Sequence, residues 1–442
     1  MDLNKLTSIS PLDGRYRKNI EELDVYFSEM ALMKYRVKVE VLYLLALSKA
    51  VKVGKINKNK LVSLYQKFSL KDAVKIKEIE KTTNHDVKAI EYFIKLHIKS
   101  EFIHFALTSE DINNLAYSLM LKDGVKEVLV PQVKNLNKKI RELAKRYKDI
   151  SLLSLTHGQP ATPTTLGKEL AIFVNRLNRQ IQNLEKIKLL GKLNGATGNF
   201  AAHNIAYPNI NWLNFSKKFV SSLGLEPNLL TTQIESHDSL AEVYDNIRRI
   251  NNIVKDLDQD MWLYISRKIF KQQNKKGEIG SSAMPHKINP IFFENSEGNI
   301  GIANALLDFL SNKLPVSRMQ RDLTDSTVLR NQGSAVAYSI LAYQNTLKAL
   351  NRVEVDKEQC AKELNAHWEV LAEAIQTVLR KIGYKAPYEK LKELTRGKEI
   401  NQESIKEFID SLQIPQAEKQ KLRSLTPAKY IGLSKRIVAA LK

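Results

Sequence analysis

Cysteine is almost absent from this chain. Cys360 is the single one in 442 residues, which excludes an intrachain disulfide framework and a multi-cysteine zinc site and fits a reducing compartment. Glycine and proline are sparse, at 17 and 12, which argues against collagen-like, linker-rich and many-turned β designs. Long hydrophobic runs are missing too. The best stretch, residues 39–51, is interrupted by Ser48 and Lys49 and is too short to span a bilayer. Residues 1–10 hold no apolar signal core. The expectation is a cytoplasmic protein with no membrane partner. No period of 20–50 residues recurs, so a solenoid is excluded.

What remains is helical periodicity. Leu166, Leu170, Phe173, Val174, Leu177, Ile181, Leu184 and Ile187 recur at three- and four-residue steps, as do Leu240, Val243, Tyr244, Ile247, Ile250, Val254, Leu257 and Met261. Each series predicts one apolar stripe on a long helix. Similar segments cover 111–147, with a kink expected at Pro131, 291–312 and 325–351. Long helices of this kind bury their stripes against each other. The predicted fold is all-α: an elongated central bundle over 101–351, flanked by smaller helical domains at 1–100 and 352–442. Strand alternation is weak throughout.

The net charge is +21, which favours a polyanionic partner, either nucleic acid or a phosphorylated metabolite. A lysine-rich solvated surface is the plainer alternative. Four stretches carry chemistry. The first is Gly277-Glu-Ile-Gly280-Ser281-Ser282-Ala-Met284-Pro285-His286-Lys287-Ile-Asn289-Pro290. Its glycines permit backbone amides to turn toward an anion, and Lys287 and Asn289 add a cation and an amide donor. Ser281 lacks the Gly-x-Ser-x-Gly elbow of a hydrolase nucleophile; in an electropositive, water-excluded loop it can serve as a base. The second, Thr156-His157-Gly158-Gln159-Pro160-Ala-Thr162-Pro163, sets His157 on a rigid turn ahead of a long helix, where acid–base work competes with a structural role.

The third stretch, Thr108-Ser109-Glu110-Asp111, reads as a capping box that also exposes hydroxyls and amides at a helix N-terminus. Thr83-Asn84-His85-Asp86 carries the same double meaning. The fourth runs from Ser317-Arg318 through Arg321, Asp322, Asp325 and Ser326 to Arg330. Ser326 and Arg330 are four apart and share a helix face, so two guanidiniums and a hydroxyl form a phosphate clamp or, alternatively, surface ion pairs. Two lookalikes fail. Asp256-x-Asp258-x-Asp260 has Met261 where a calcium loop needs glycine, and Gly191, Gly195 and Gly198 lack dinucleotide spacing. No metal spacing occurs, so neither a metal nor a cofactor is expected.

Together these motifs resemble the fumarase/aspartase superfamily, and within it the bacterial type of adenylosuccinate lyases. The carriers are 280–290, Ser10-Pro-Leu-Asp-Gly-Arg15-Tyr16, 82–89, 102–114, 156–163 and 314–330, so the resemblance runs from about residue 7 to the carboxyl end. One position departs: Leu155 stands where the family usually has Arg. The resemblance implies elimination of fumarate from adenylosuccinate, and from the succinylaminoimidazole carboxamide ribotide. Ser281 would be the general base, with Ser282 its rival, and His157 the general acid. It implies substrate binding by Arg15, Tyr16, Asn84, His85, Asp86, Thr108, Ser109, Gln233, Lys287, Asn289, Arg321, Ser326 and Arg330. It also implies a homotetramer whose sites are shared between subunits. A phosphate on the substrate accounts for the arginine–serine–arginine set, which malate would not require. A basic nucleic-acid-binding helical protein accounts for the charge but not for the Gly-Ser-Ser loop.

Overall fold

The computed structural model of the chain describes residues 4–273, 284, 287–395 and 400–441. It is dominated by helices, with six short strands among the described residues. The chain divides into two compact units. One comprises Met1–Lys134, Gln180–Asn252 and Ser296–Gln344; the other comprises Asn135–Arg179, Ile253–Asn295 and Asn345–Lys442. The helices Val130–Arg146, Leu166–Lys186, Asp238–Ser266, Ile291–Lys313 and Gln332–Leu350 supply residues to both.

The apolar stripes read from the sequence are buried. Leu166, Leu170, Val174 and Leu177 are closed to solvent on one helix, and Tyr244, Ile247, Ile250, Val254 and Met261 on another. Each such side chain contributes about 1.5–3 kcal/mol on leaving water. Within the first unit, Met33, Val37, Val41 and Leu44 of the Glu29–Leu47 helix form a core with Leu61, Ile76, Ile90, Phe93 and Ile103. Within the second, Trp368, Leu371, Ile375 and Leu379 pack with Ile405, Phe408, Ile409 and Leu422. No described helix is long and apolar enough to cross a membrane.

Three expectations need adjusting. Pro131 is accommodated by a π-helical stretch, Val125–Leu129, immediately before it, the irregularity that relieves a strained hydrogen-bond ladder. The 325–351 segment is two helices, Thr324–Leu329 and Gln332–Leu350. Between them the Asn331 N–H bonds the Val328 carbonyl at 3.0 Å, an i to i+3 turn that tightens and ends the first helix. The third concerns strands. Ser151–Thr156 and Gln159–Thr165 form an antiparallel hairpin, although two prolines hide its alternation.

Candidate active site

The Ser109–Gly124 helix starts as its sequence dictates. Thr108 caps it, and the Thr108 N–H donates to Asp111 Oδ2 at 2.9 Å in a capping box. Asp111 does more than cap. It also accepts from the backbone N–H groups of Asn194 (3.0 Å) and Gly195 (3.2 Å), and it pairs with Lys192 Nζ at 2.9 Å. Lys192 donates in turn to the carbonyls of Gly195 (3.0 Å) and Gln233 (2.7 Å). Both charged side chains have no solvent exposure, so every lone pair and proton has to be matched inside the protein. The pair thereby ties Thr108 and Ser109 to the turn carrying Gln233, whose amide donates to the Ala196 carbonyl at 3.0 Å.

Arg321 and Arg330, the arginines of the expected clamp, sit in a continuous polar network in this same unit. Arg321 reaches Glu110 Oε1 at 2.8 Å. Glu110 accepts from the Asn113 amide at 2.8 Å, and Asn113 Oδ1 accepts from Arg36 Nε at 2.9 Å. Arg36 pairs with Asp86 at 2.8 Å. Asp86 also meets Arg330 at 3.3 Å, and Arg330 holds Glu29 at 2.7 Å. Burial works to raise the Asp86 carboxyl, but Arg36, the Val87 N–H and Arg330 overcome it and hold the group below its ordinary range. Asn84 ends the Leu70–Thr83 helix in a left-handed conformation, and His85 caps the next, its Nδ1 accepting from the Lys88 N–H at 3.1 Å. Ser326 lies in the Thr324–Leu329 helix, its N–H on Asp325 Oδ1 at 2.7 Å, and Arg330 caps that helix at its C-terminus. Arg15 is exposed, its guanidinium 6.0 Å from the centre of the Tyr16 ring.

His157 occupies the tip of the 151–165 hairpin. Both turn residues are left-handed, His157 at φ 54° and Gly158 at φ 73°. That is the mirror-image two-residue turn whose twist matches a hairpin. The following helix is seated close behind. A Cβ on Gly167 would stand 2.3 Å from the Ala144 carbonyl oxygen, so only glycine fits. The imidazole is exposed on this fixed support, beside the exposed Leu155.

Lys287 is exposed and Asn289 half-buried. The Gln272 amide donates to the Ile288 carbonyl at 2.9 Å, and strand Phe270–Gln272 pairs with Val353–Val355. Ser281 and Ser282, with Gly277, Gly280, Pro285 and His286, lie outside the described residues. Cys360 is buried, and burial, with Glu363 and Asp356, pushes its thiol up to about 11, a pKa that leaves it unreactive at neutral pH.

The first unit therefore contains Asn84, His85, Asp86, Thr108, Ser109, Gln233, Arg321, Ser326 and Arg330, along with Arg15 and Tyr16; the second contains His157, Lys287 and Asn289. Sequence reasoning missed Arg36, Asn113, Lys192 and Glu29, and read Glu110 and Asp111 only as parts of a cap. The one local signal was charge in the wrong place. Arg36 and Glu40 stand four apart among the apolar residues of the Glu29–Leu47 helix's buried side and are both 1% exposed. Among the described residues no group of His, Cys, Asp and Glu is placed to hold a metal ion.

The whole chain is similar to known proteins. Residues 7–303 match the family described as Lyase, and residues 317–431 the one described as Adenylosuccinate lyase C-terminal. The adenylosuccinate lyases of Escherichia coli strain K12 and Haemophilus influenzae are each 52% identical to it over the full length of both chains. A fumarate lyase structure from Mesorhizobium sp. BNC1 shares the fold, with a TM-score of 0.76 at 16% identity, covering 95% of this chain and 97% of that one. A helix N-terminus whose Glu110 meets Arg321 and a hairpin-mounted histidine are thus set in a lyase sequence from end to end, and the chain belongs to the adenylosuccinate lyase family of the fumarase/aspartase superfamily.

Proposed function

We propose that the chain eliminates fumarate from adenylosuccinate, leaving AMP, and from the succinylaminoimidazole carboxamide ribotide, with Ser281 as general base and His157 as general acid. The observation that carries this is the grouping in one unit of the Thr108–Ser109 helix terminus with Arg321 and Arg330 on a single network. Helix termini and guanidiniums favour anionic oxygens, and the substrate offers two carboxylates and a phosphate. Arg321, Ser326 and Arg330, with Arg15 and Tyr16, bind the ribose phosphate. Thr108 and Ser109 hold substrate from their helix terminus, and Asn84, His85, Asp86 and Gln233 complete the pocket.

Ser281 takes a proton from the succinyl methylene carbon. The electron pair moves into the adjacent carboxylate, giving an aci-carboxylate that Lys287, Asn289 and the loop amides stabilise. Collapse of that intermediate forms the carbon–carbon double bond and breaks the carbon–nitrogen bond. His157 delivers a proton to the departing nitrogen. An exposed imidazole on a hairpin tip suits this role only if something closes over it.

A homotetramer with shared sites supplies that cover. Gly298, Gly301, Ile302, Ala305 and Phe309 form an exposed, uncharged face on the Ile291–Lys313 helix. A Cβ on either glycine would meet no described atom within 4 Å outside the helix backbone. Small and apolar residues bare along a helix suit close packing against another copy of the chain. We take residues 101–351 as the domain carrying most catalytic groups, and the cytoplasm as the compartment.

The test is fumarate release from adenylosuccinate, followed by absorbance in the presence of a chelator. The wild type should be active and chelator-insensitive. Ser281→Ala and His157→Ala should each lose about 10²–10⁴-fold in kcat. Full activity in Ser281→Ala, with loss in Ser282→Ala, would transfer the base to Ser282; activity restored only by added zinc would reject the mechanism.

A further inference from the structure

We propose that Arg36 is a positioning residue for the phosphate clamp, one buried guanidinium that aims Arg321 and Arg330 together. The assignment rests on reading those two arginines as the phosphate site. Arg36 is 1% exposed, in the Glu29–Leu47 helix, so it is not offered to a ligand. A buried guanidinium is costly unless its donors are engaged. Here the donors point two ways. Nε donates to Asn113 Oδ1 at 2.9 Å, and a terminal nitrogen stands 2.8 Å from Asp86 Oδ2 as an ion pair without hydrogen-bond alignment.

Each partner is one step from a clamp arginine. Asn113 turns its amide to Glu110 Oε1, which holds Arg321 at 2.8 Å. Asp86 uses the same Oδ2 to meet Arg330 at 3.3 Å. The two clamp arginines are nine residues apart, and helix Thr324–Leu329 lies between them in the chain. Within that segment a long pairing, Arg321 to Asp325 at 3.8 Å, fixes one guanidinium relative to the other only loosely. The link through Arg36 ties both, from a separate helix. Arg36 is also the strongest influence keeping Asp86 ionised against its burial, so Arg330 always has an anion to orient it when the site is empty.

A rigid planar fork is needed because one group has to satisfy two partners in fixed directions. An ammonium is a point charge and cannot bridge them in that way. Arg36→Lys therefore keeps the charge and the pairing with Asp86 but lets the Asn113 arm go. The variant should leave the chemistry at the succinyl carbon untouched and loosen the hold on phosphate.

The experiment measures kcat and KM for adenylosuccinate, together with inhibition constants for AMP and for adenosine, which lacks the phosphate. In Arg36→Lys, KM and the AMP constant should rise about tenfold, the loss expected for roughly one charge-assisted hydrogen bond. kcat should stay within about twofold, and the adenosine constant should not move. Equal weakening of AMP and adenosine, a fall in kcat, or no change at all would overturn the proposal and leave Arg36 a packing residue. Arg330→Ala, run in parallel, should cut the preference for AMP over adenosine at least about tenfold. If it does not, the phosphate-site reading fails. If it does while Arg36→Lys keeps the preference, only the role of Arg36 fails. Should Arg36→Lys not fold, Asn113→Ser cuts the same arm without a buried charge, and the same split between AMP and adenosine decides.

Discussion

Replacing Lys192 by methionine gives the sharpest test of how the binding segments are held together. The substitution preserves length and apolar bulk but removes the ammonium. Asp111 then keeps three backbone N–H donors, from Thr108, Asn194 and Gly195, and loses its counter-ion. The Gly195 and Gln233 carbonyls lose a donor as well. Breaking one side of a buried ion pair costs about 3–5 kcal/mol; the surviving N–H donors place this case near the lower end, about 3 kcal/mol. Urea unfolding at fixed protein concentration measures it, concentration being fixed because an oligomer's stability depends on it. Adding Asp111→Asn removes the orphaned charge and should recover about half the loss. Because Gln233 and Thr108 ride on this pair, KM should rise in the single variant more than in the double. A single variant within 0.5 kcal/mol of wild type, the scale of an ordinary surface substitution, would refute the reasoning.

Two further perturbations read other parts of the fold. Burial, then Asp256 and Glu169, pushes Asp260 up to about 6 from its ordinary 3.8. The folded state thus binds a proton more readily than the unfolded one, and wild-type stability gains as pH falls from about 7 to about 4. The full shift would be worth roughly 3 kcal/mol; screening at a half-buried position reduces it to about 1. Asp260→Asn should therefore raise Tm at pH 7.5 and not at pH 4, checked by thermal melts at both. Gly198 has φ of 76°, and a Cβ there would stand 2.1 Å from the Thr231 carbonyl oxygen. Gly198→Ala should cost about 1–3 kcal/mol and, by shifting the turn before Gln233, raise KM; unchanged stability by urea melt would contradict the close approach.

Local patterns were legible in the sequence and long-range partners were not. The stripes on the long helices were read from spacing because a 3.6-residue period is written in adjacent residues. So was the Thr108–Asp111 cap, whose partners are three residues apart. The hairpin bearing His157 was not read as strands, since Pro160 and Pro163 mask its alternation, yet the His-Gly pair at its tip is what forms the turn. The break at Arg330 was missed although residues 330–334, Arg-Asn-Gln-Gly-Ser, carry no apolar side chain to continue the stripe. Arg36, Asn113 and Lys192 could not have been found by spacing. Beyond the near contacts to Glu110 and Gly195, their partners lie between 41 and 81 residues away, Arg36 with Asp86 and Asn113 and Lys192 with Asp111 and Gln233, and only the fold brings them together. The Gly-Ser-Ser reading rests on composition alone, and Gly280, Ser281 and Ser282 lie outside the described residues.

The account stands or falls on whether His157 and Ser281 act on one substrate from different chains. Ser281→Ala and His157→Ala proteins, each nearly inactive alone, can be mixed in equal amounts, dissociated and reassociated. Sites that receive an intact Ser281 from one chain and an intact His157 from another will work, so fumarate release should return to a measurable fraction of the wild-type rate. If light scattering shows that hybrid oligomers have formed and activity stays at the level of the separate variants, both residues come from one chain and the shared-site account is wrong.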